Sequence, residues 1–354
     1  MRAARPVSTG CRVASRLAPI IAGLWLASQL TAAWSLDPNA LPTGGTVVGG
    51  SATINSTSAT RLDILQSSQR TAINWQTFNI GSAAQVNFAQ PNSSAVALNR
   101  VLAGSASEIA GRLTSNGQVF LVNPAGVLFS RSAQVNVGAM VASTLDLSPA
   151  DFMAGSASFS RSGAAGGIVN QGTLAANSGG YIALLAPNVR NEGVITATLG
   201  TVALGAGDRV TLDFSGDRLL GLRVDVGTLN AAIANRQLVV ADGGQVIMSA
   251  RAADALAASV VNNEGIIQAR SLVERNGVIR LEAAQVSNSG TIDASGAGGA
   301  SGGAVALQGG YGPGQGVALS GTVDASGASG GEVRILGGAL TLAGANVDAS
   351  GASA

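Results

Sequence analysis

The sequence predicts an all-β protein: a parallel β-helix with an N-terminal β cap and a projecting extra element. Three observations carry that expectation. The 354-residue chain combines 49 Gly and 46% hydrophobic residues with only 3% aromatics and 11% charge, the palette of thin β-structure with tight turns. An Asn-x-Gly-x-apolar unit recurs from about Ile168 onward, and self-similarity at this period marks a solenoid. Between the units lie short, alternating apolar strands, each entered through glycine.

The first 33 residues stand apart. Arg2, Arg5, Arg12 and Arg16 make a basic start, LAPIIAGLWLASQL (Leu17 to Leu30) an apolar run, and Thr31-Ala32-Ala33 a small-residue site. That order reads as a cleaved signal peptide over 1–33; the run is too short for a membrane-spanning helix. Without it the chain keeps 16 Arg against 19 acids, a net charge near −3. Nucleic acid, which needs a basic stripe, is not an expected partner. Cys11 leaves with the leader, and the chain has no His and no Lys. His/Cys metal centres, His-based triads and Ser–Lys dyads are thereby excluded, and neither cofactor nor catalytic residue is expected.

Next comes a block over residues 34–147, expected to act as the cap. GGTVVGGSATINSTS, RLDILQSSQRTAINWQTFNIG and AAQVNFAQPNSSAVALNRVLAG each read as a pair of strands, with Trp75 and Phe78 as local aromatic bulk. The runs VFLV and VLF flank Asn123-Pro124-Ala125-Gly126. Pro124 fixes φ for a tight turn, Gly126 supplies positive φ, and Asn123 bonds its own downstream backbone. The two apolar runs should therefore fold onto successive faces.

Residues 148–354 carry the repeats. The anchors are NQGTL at Asn170, NEGVI at Asn191, NEGII at Asn263 and NSGTI at Asn288, with LSGTV at Leu319 as a degenerate copy. Gly172 to Gly193, Gly265 to Gly290 and Gly290 to Gly321 are 21, 25 and 31 residues apart, each about one coil. Asn170, Asn191, Asn263 and Asn288 are expected to stack their amides in a hydrogen-bonded ladder, each following Gly taking a left-handed conformation. About 208–242 interrupts the repeat; it reads as a side element with strands TLDF and LRVDV and a helix-like TLNAAIANRQL. RAADALAAS (Arg251 to Ser259) reads as a short helix. Asp293, Asp324 and Asp348 recur in DASG turns and read as turn caps. Nothing closes the stack before Ala354, so a longer natural chain is expected.

The order INWQTFNIG, VNFAQPNSSAVALNRV, SEIAGRLTSNGQVFLVNPAGVLF and VNVGAMVAST resembles the N-terminal secretion domain of the filamentous haemagglutinin family, the exoproteins of bacterial two-partner secretion. The likeness is dense from Leu41 to Leu147, and DRVTLDFSGD, NRQLVVADGGQVIMSARAADAL and VVNNEGIIQA extend it. It implies a right-handed β-helix with an N-terminal cap. It also implies export through the periplasm of a Gram-negative bacterium, recognition by the periplasmic domains of an outer-membrane barrel transporter, and a secreted or cell-surface adhesin. A host-cell or surface receptor is left open. Asn123, Pro124, Ala125 and Gly126 occupy the family's Asn-Pro-Asn-Gly turn, with Ala125 departing from the pattern. Asn99, Arg100 and Val101 match a second family segment. Both are candidates for transporter recognition or for shaping the cap. Two alternatives stand beside this reading: a β-helical polysaccharide-acting enzyme, with Asp213, Asp217 and Arg218 as its nearest charged grouping, and the stalk of a contact-dependent inhibition toxin.

Overall fold

The computed structural model describes residues 36–214, 219–254, 259–273 and 275–352; the leader over 1–33 lies outside them. Among the described residues the chain winds through three long sheets of 11, 12 and 9 strands, and the strands running up each sheet pair in parallel except at the N-terminal end. One coil shows the plan. Ser107–Ile109 lies in the 9-stranded sheet, Arg112–Ser115 in the 12-stranded sheet, and Gln118–Val122 in the 11-stranded sheet. The next coil repeats the circuit with Val127–Phe129, Gln134–Val137 and Ala139–Ser143, paired in register on the first. This is a parallel β-helix, and its three-sided interior is one continuous column of apolar side chains from Leu62 to Ala325.

The cap differs from its expected strand pairing. Thr46–Gly49 pairs antiparallel with Arg70–Trp75, and Ala52–Ser58 with Arg61–Gln66. The two runs in each of the three predicted pairs lie on different sheets, because Ser67–Gln69 and Pro91–Ser94 turn a corner of the coil instead of folding the strand back. Trp75 and Phe78 fill the bottom of the column, edge to face at 5.5 Å. Phe88 and Phe129 follow; after Phe129 no aromatic side chain enters the described interior. Narrow upper coils accept only aliphatic packing.

The projecting element begins earlier than the sequence suggests. After Ser143 the chain leaves the stack to form a short helix, Pro149–Met153, and the strand Ser158–Ser160. After Ala206 it leaves again as Arg209–Asp213 and Gly221–Val226, and these three strands make a separate antiparallel sheet. TLNAAIANRQL, by contrast, is not helical. Ala231–Asn235 is a strand of the 9-stranded sheet, paired with Asn188–Asn191 and Ser259–Asn263. Burial of Ala231 and Ile233 in the column outweighs the helical preference of alanine, since tertiary packing overrides local propensity. Ala252, within RAADALAAS, makes a bridge to Thr228, and Ser259 begins a strand; residues 255–258 lie outside the described residues.

The side sheet explains a switch in the hydrophobic pattern. Phe120, Val141, Ala183 and Ala203 point outward from the 11-stranded sheet and are covered by Phe152, Phe159, Val210 and Leu212. Strands under this cover, AMVAS, YIALL and TVALGA, are buried at every position. Beyond it, VIRLE and AVALQ return to alternation, as expected of a sheet with one wet face.

The acids mostly serve turns and coil-to-coil ties. Asp293 and Asp324 accept from the backbone N–H and hydroxyl of Ser295 and Ser326, and Asp348 from the N–H of Ser350. Asp242 accepts from Gln268, from the Arg270 backbone N–H, and from the Arg270 guanidinium at 2.8 Å. Burial pushes the Asp242 carboxyl upward, but those donors outweigh it and hold its pKa below the ordinary value. A depressed folded-state pKa adds stability above the unfolded value of about 4, lost as pH falls through the folded value. Urea midpoints measured from pH 7 to pH 3 should therefore show a shallower acid-side fall for Asp242→Asn than for the wild type. Equal slopes would remove Asp242 from the acid response.

Candidate functional site

Both family-matching segments lie where the 11-stranded sheet gives way to the next corner. Asn99, Arg100 and Val101 end the strand Val96–Val101; Asn99 pairs with Leu121 and Arg100 with Val122 of the coil above. Asn123 follows Val122 directly, so the second segment starts at the corner on which the first stacks.

The turn closes as its residue types dictate. The Gly126 N–H donates to the Asn123 carbonyl at 3.0 Å, and the Ala125 N–H to Asn123 Oδ1 at 3.0 Å. Gly126 has φ of +128°, open to glycine and strained for other residues. The Asn123 amide nitrogen reaches down one coil, donating to the Ser105 carbonyl at 3.0 Å and to Ser107 Oγ at 2.9 Å. Asn123 is fully buried, whereas Pro124 and Ala125 are half-buried. The Pro124 carbonyl accepts from the Gly166 N–H, joining the turn to the coil above.

Asn99 is also fully buried. Its Oδ1 accepts from the Trp75 indole N–H at 3.0 Å, while its amide nitrogen donates to the carbonyls of Ala97 and Phe120. Arg100 points outward and grips Asp146 through two hydrogen bonds of 2.7 Å. Asp146 forms a backbone bridge to Ser160 of the side sheet, so Arg100 ties the cap to the projecting element. Val101 is buried in the column. Ser105, Ser107 and Asp146 are partners that sequence alone does not single out, and Trp75, legible only as aromatic bulk, is also a hydrogen-bond donor.

A second constellation runs along the corner between the 9- and 12-stranded sheets. Asn170, Asn191, Asn235, Asn263 and Asn288 occupy one register position on successive coils. Each amide nitrogen donates to the next Oδ1, at 2.8, 2.8, 2.8 and 2.7 Å. Phe129 holds the same position below Asn170, and Leu319 above Asn288. Asn235 lacks the Asn-x-Gly signature because Gln237 stands where glycine is expected. A second row runs alongside: Gln171 donates to Glu192, and Arg236 pairs with Glu192 and Glu264.

The glycines after these asparagines do not adopt the left-handed conformation expected of them. None of Gly172, Gly193, Gly265, Gly290 or Gly321 has positive φ. Their role is close approach: a Cβ on Gly193 would lie 2.2 Å from the Gly172 carbonyl oxygen. Of the charged grouping in the side element, Asp217 and Arg218 lie outside the described residues, and Asp213 ends a strand of the antiparallel sheet.

The TPS secretion domain family model matches residues 39–294. A Heme/hemopexin-binding protein of Haemophilus influenzae strain Rd is 31% identical over 273 residues, 75% of this chain and 30% of that protein. Another Heme/hemopexin-binding protein of Haemophilus influenzae is 44% identical over 116 residues, 33% of this chain and 12% of that protein. The chain thus spans less than a third of the curated relatives it matches. Among solved structures, the HMW1 secretion domain from Haemophilus influenzae superposes with a TM-score of 0.78 at 29% identity, over 88% of this chain and 84% of that one.

Proposed function

The chain belongs to the TPS secretion domain family, and on that premise we propose that it directs the two-partner export of an adhesin-type exoprotein. In this reading residues 1–33 take the chain into the periplasm as a signal peptide. The periplasmic domains of an outer-membrane barrel transporter then recognise the segment within 34–147. The chain passes outward unfolded, and the coils over 148–354 stack at the Gram-negative cell surface or after release. Parallel pairing is non-local and slow to form, which suits passage before folding.

The observation that carries this reading is the paired burial of Asn99 and Asn123. Both are motif residues, and both side chains are sealed inside the folded coil. A transporter could touch them only before the coil closes, so recognition and folding become successive uses of the same side chains. We read the chain as non-catalytic, because Asp63, Asp146, Asp208, Asp225 and Asp242 each pair with an arginine and the DASG aspartates cap turns. The haem or haemopexin of the relatives' name is not carried over. Haem held by this chain would require Tyr or Met, since it lacks His and its one Cys lies in the leader.

Secretion from a Gram-negative host tests the proposal, scoring protein in the medium with and without a cognate barrel transporter. Accumulation should require the barrel. Asn123→Ala removes three hydrogen bonds of the turn and should cost about 2 kcal/mol of folding stability; it should also lower barrel-dependent release. Release that is unchanged while stability falls would make the turn architectural. Release that ignores the barrel would defeat the proposal.

A further inference from the structure

Above the side sheet, the outer face of the 11-stranded sheet opens into a groove of about 550 Å³. Its floor is a row of three polar side chains on neighbouring coils, Ser249, Glu282 and Gln308, in direct register. One wall is the strand Gly221–Val226, to which Arg251 is fastened by donating to the carbonyls of Val224 and Asp225. The other wall is the Gly309–Gly316 loop, which carries Tyr311. That loop is pinned: the N–H groups of Gly310 and Gly316 both donate to the Ala284 carbonyl, at 3.0 and 2.9 Å, and Gln315 closes it through Gly312.

Elsewhere polar side chains are bonded to one another, as in the Gln171–Glu192–Arg236–Glu264 row beside the asparagine ladder. Four side chains in the groove are not. Ser249, Glu282, Gln308 and Tyr311 have no side-chain hydrogen-bond partner among the described residues, and Tyr311 is 69% exposed. An exposed tyrosine ring is a flat apolar platform with a polar tip. A hydroxyl, a carboxylate and an amide beside it offer both donors and acceptors.

We propose that this groove binds a neutral oligosaccharide, with Tyr311 stacking on a sugar face and Ser249, Glu282 and Gln308 bonding its hydroxyls. Stacked strands set the floor groups about 4.8 Å apart, a spacing comparable with one sugar unit in an extended glycan. A peptide added as a strand needs a free sheet edge, and the three floor strands are all paired on both sides. A polyanion is disfavoured because the floor carries Glu282, while Arg223 and Arg251 are already engaged by Asp225 and by backbone carbonyls. The groove volume falls within the range of small-molecule sites, about 300–1,000 Å³.

The test is saturation-transfer NMR on the full chain with cellohexaose, maltohexaose and chitohexaose, and a heparin hexasaccharide as the charged control. At least one neutral hexasaccharide should receive saturation. Its affinity should fall about tenfold, equivalent to about 1.4 kcal/mol, in both Tyr311→Ala and Gln308→Leu. Both side chains are exposed, so thermal unfolding by circular dichroism should match the wild type. Transfer to none of the three neutral sugars, binding unmoved by both variants, or transfer to the heparin fragment alone would each overturn the assignment.

Discussion

Gly265→Ala is expected to destabilise the fold by about 3 kcal/mol, although it adds a single methyl group. The added Cβ would lie 2.1 Å from the Gln237 carbonyl oxygen and 2.6 Å from the Gln237 nitrogen. Both are backbone atoms, so no rotamer change relieves the clash. The coils must separate locally, and the ladder bonds on either side lengthen with them. Gly290 repeats the arrangement one coil up, 2.0 Å from the Gly265 carbonyl, so the disturbance has no slack to enter. Gly104 is the control: nothing lies within 4 Å of its Cβ position and its φ is not positive. Gly104→Ala should leave the urea midpoint nearly unchanged. A Gly265→Ala loss below about 1 kcal/mol would show that the coils are more loosely stacked than their geometry implies.

The second large effect is expected in the asparagine ladder, and it depends on position. Asn235→Leu should cost about 3 kcal/mol, because two buried amides lose their partner at once. Asn191 loses the acceptor for its 2.8 Å bond and Asn263 loses the donor to its Oδ1. Asn288→Leu should cost nearer about 1 kcal/mol. There the position above is Leu319, so no Oδ1 loses a donor. Asn263 loses one acceptor and keeps the carbonyls of Gly265 and Thr291, just as Asn191 keeps those of Gly193 and Leu238 in the first variant. Volume is not the difference, since the column accepts Phe129 and Leu319 in the same register. Chemical denaturation of the two variants decides the point. Equal losses would mean that the amides contribute as isolated bonds and not as a chain.

The architecture was legible wherever one local signal repeated. Asn-x-Gly gave the coil, its spacing gave the period, and Asn123-Pro124 marked a corner that the structure places between two sheets. Legibility failed where the fold outvoted local chemistry. Asn235 was hidden because Gln237 replaces the glycine and alanines surround it, so a strand set by burial read as a helix. The glycine requirement was recognised but given the wrong cause, since sequence cannot distinguish positive φ from contact with the coil below. The runs of the cap read as paired strands because sequence neighbours usually pair, whereas each corner here sends the next run to another sheet. The helix Pro149–Met153 has a readable start, Ser148 capping the Asp151 N–H with proline at the first position, but its five residues are too few to show a helical period. The partners of Asn99 and Asn123 come from other strands and coils, and only the folded chain reveals them.

All four links of the asparagine ladder point the same way, each amide nitrogen giving its hydrogen to the coil above. The N–H groups of Gly172 and Gly193 fix that sense by donating to Oδ1 of Asn170 and Asn191. One amide cannot turn over alone, because it would set two hydrogens face to face on one side and two oxygens on the other. The five side chains therefore share a single polarity, reversible only in concert, and their dipoles add along the axis of the molecule. From Asn170 to Asn263 each coil thus presents an oriented donor to the one above it, a handed sense of direction that begins above Phe129 and stops below Leu319.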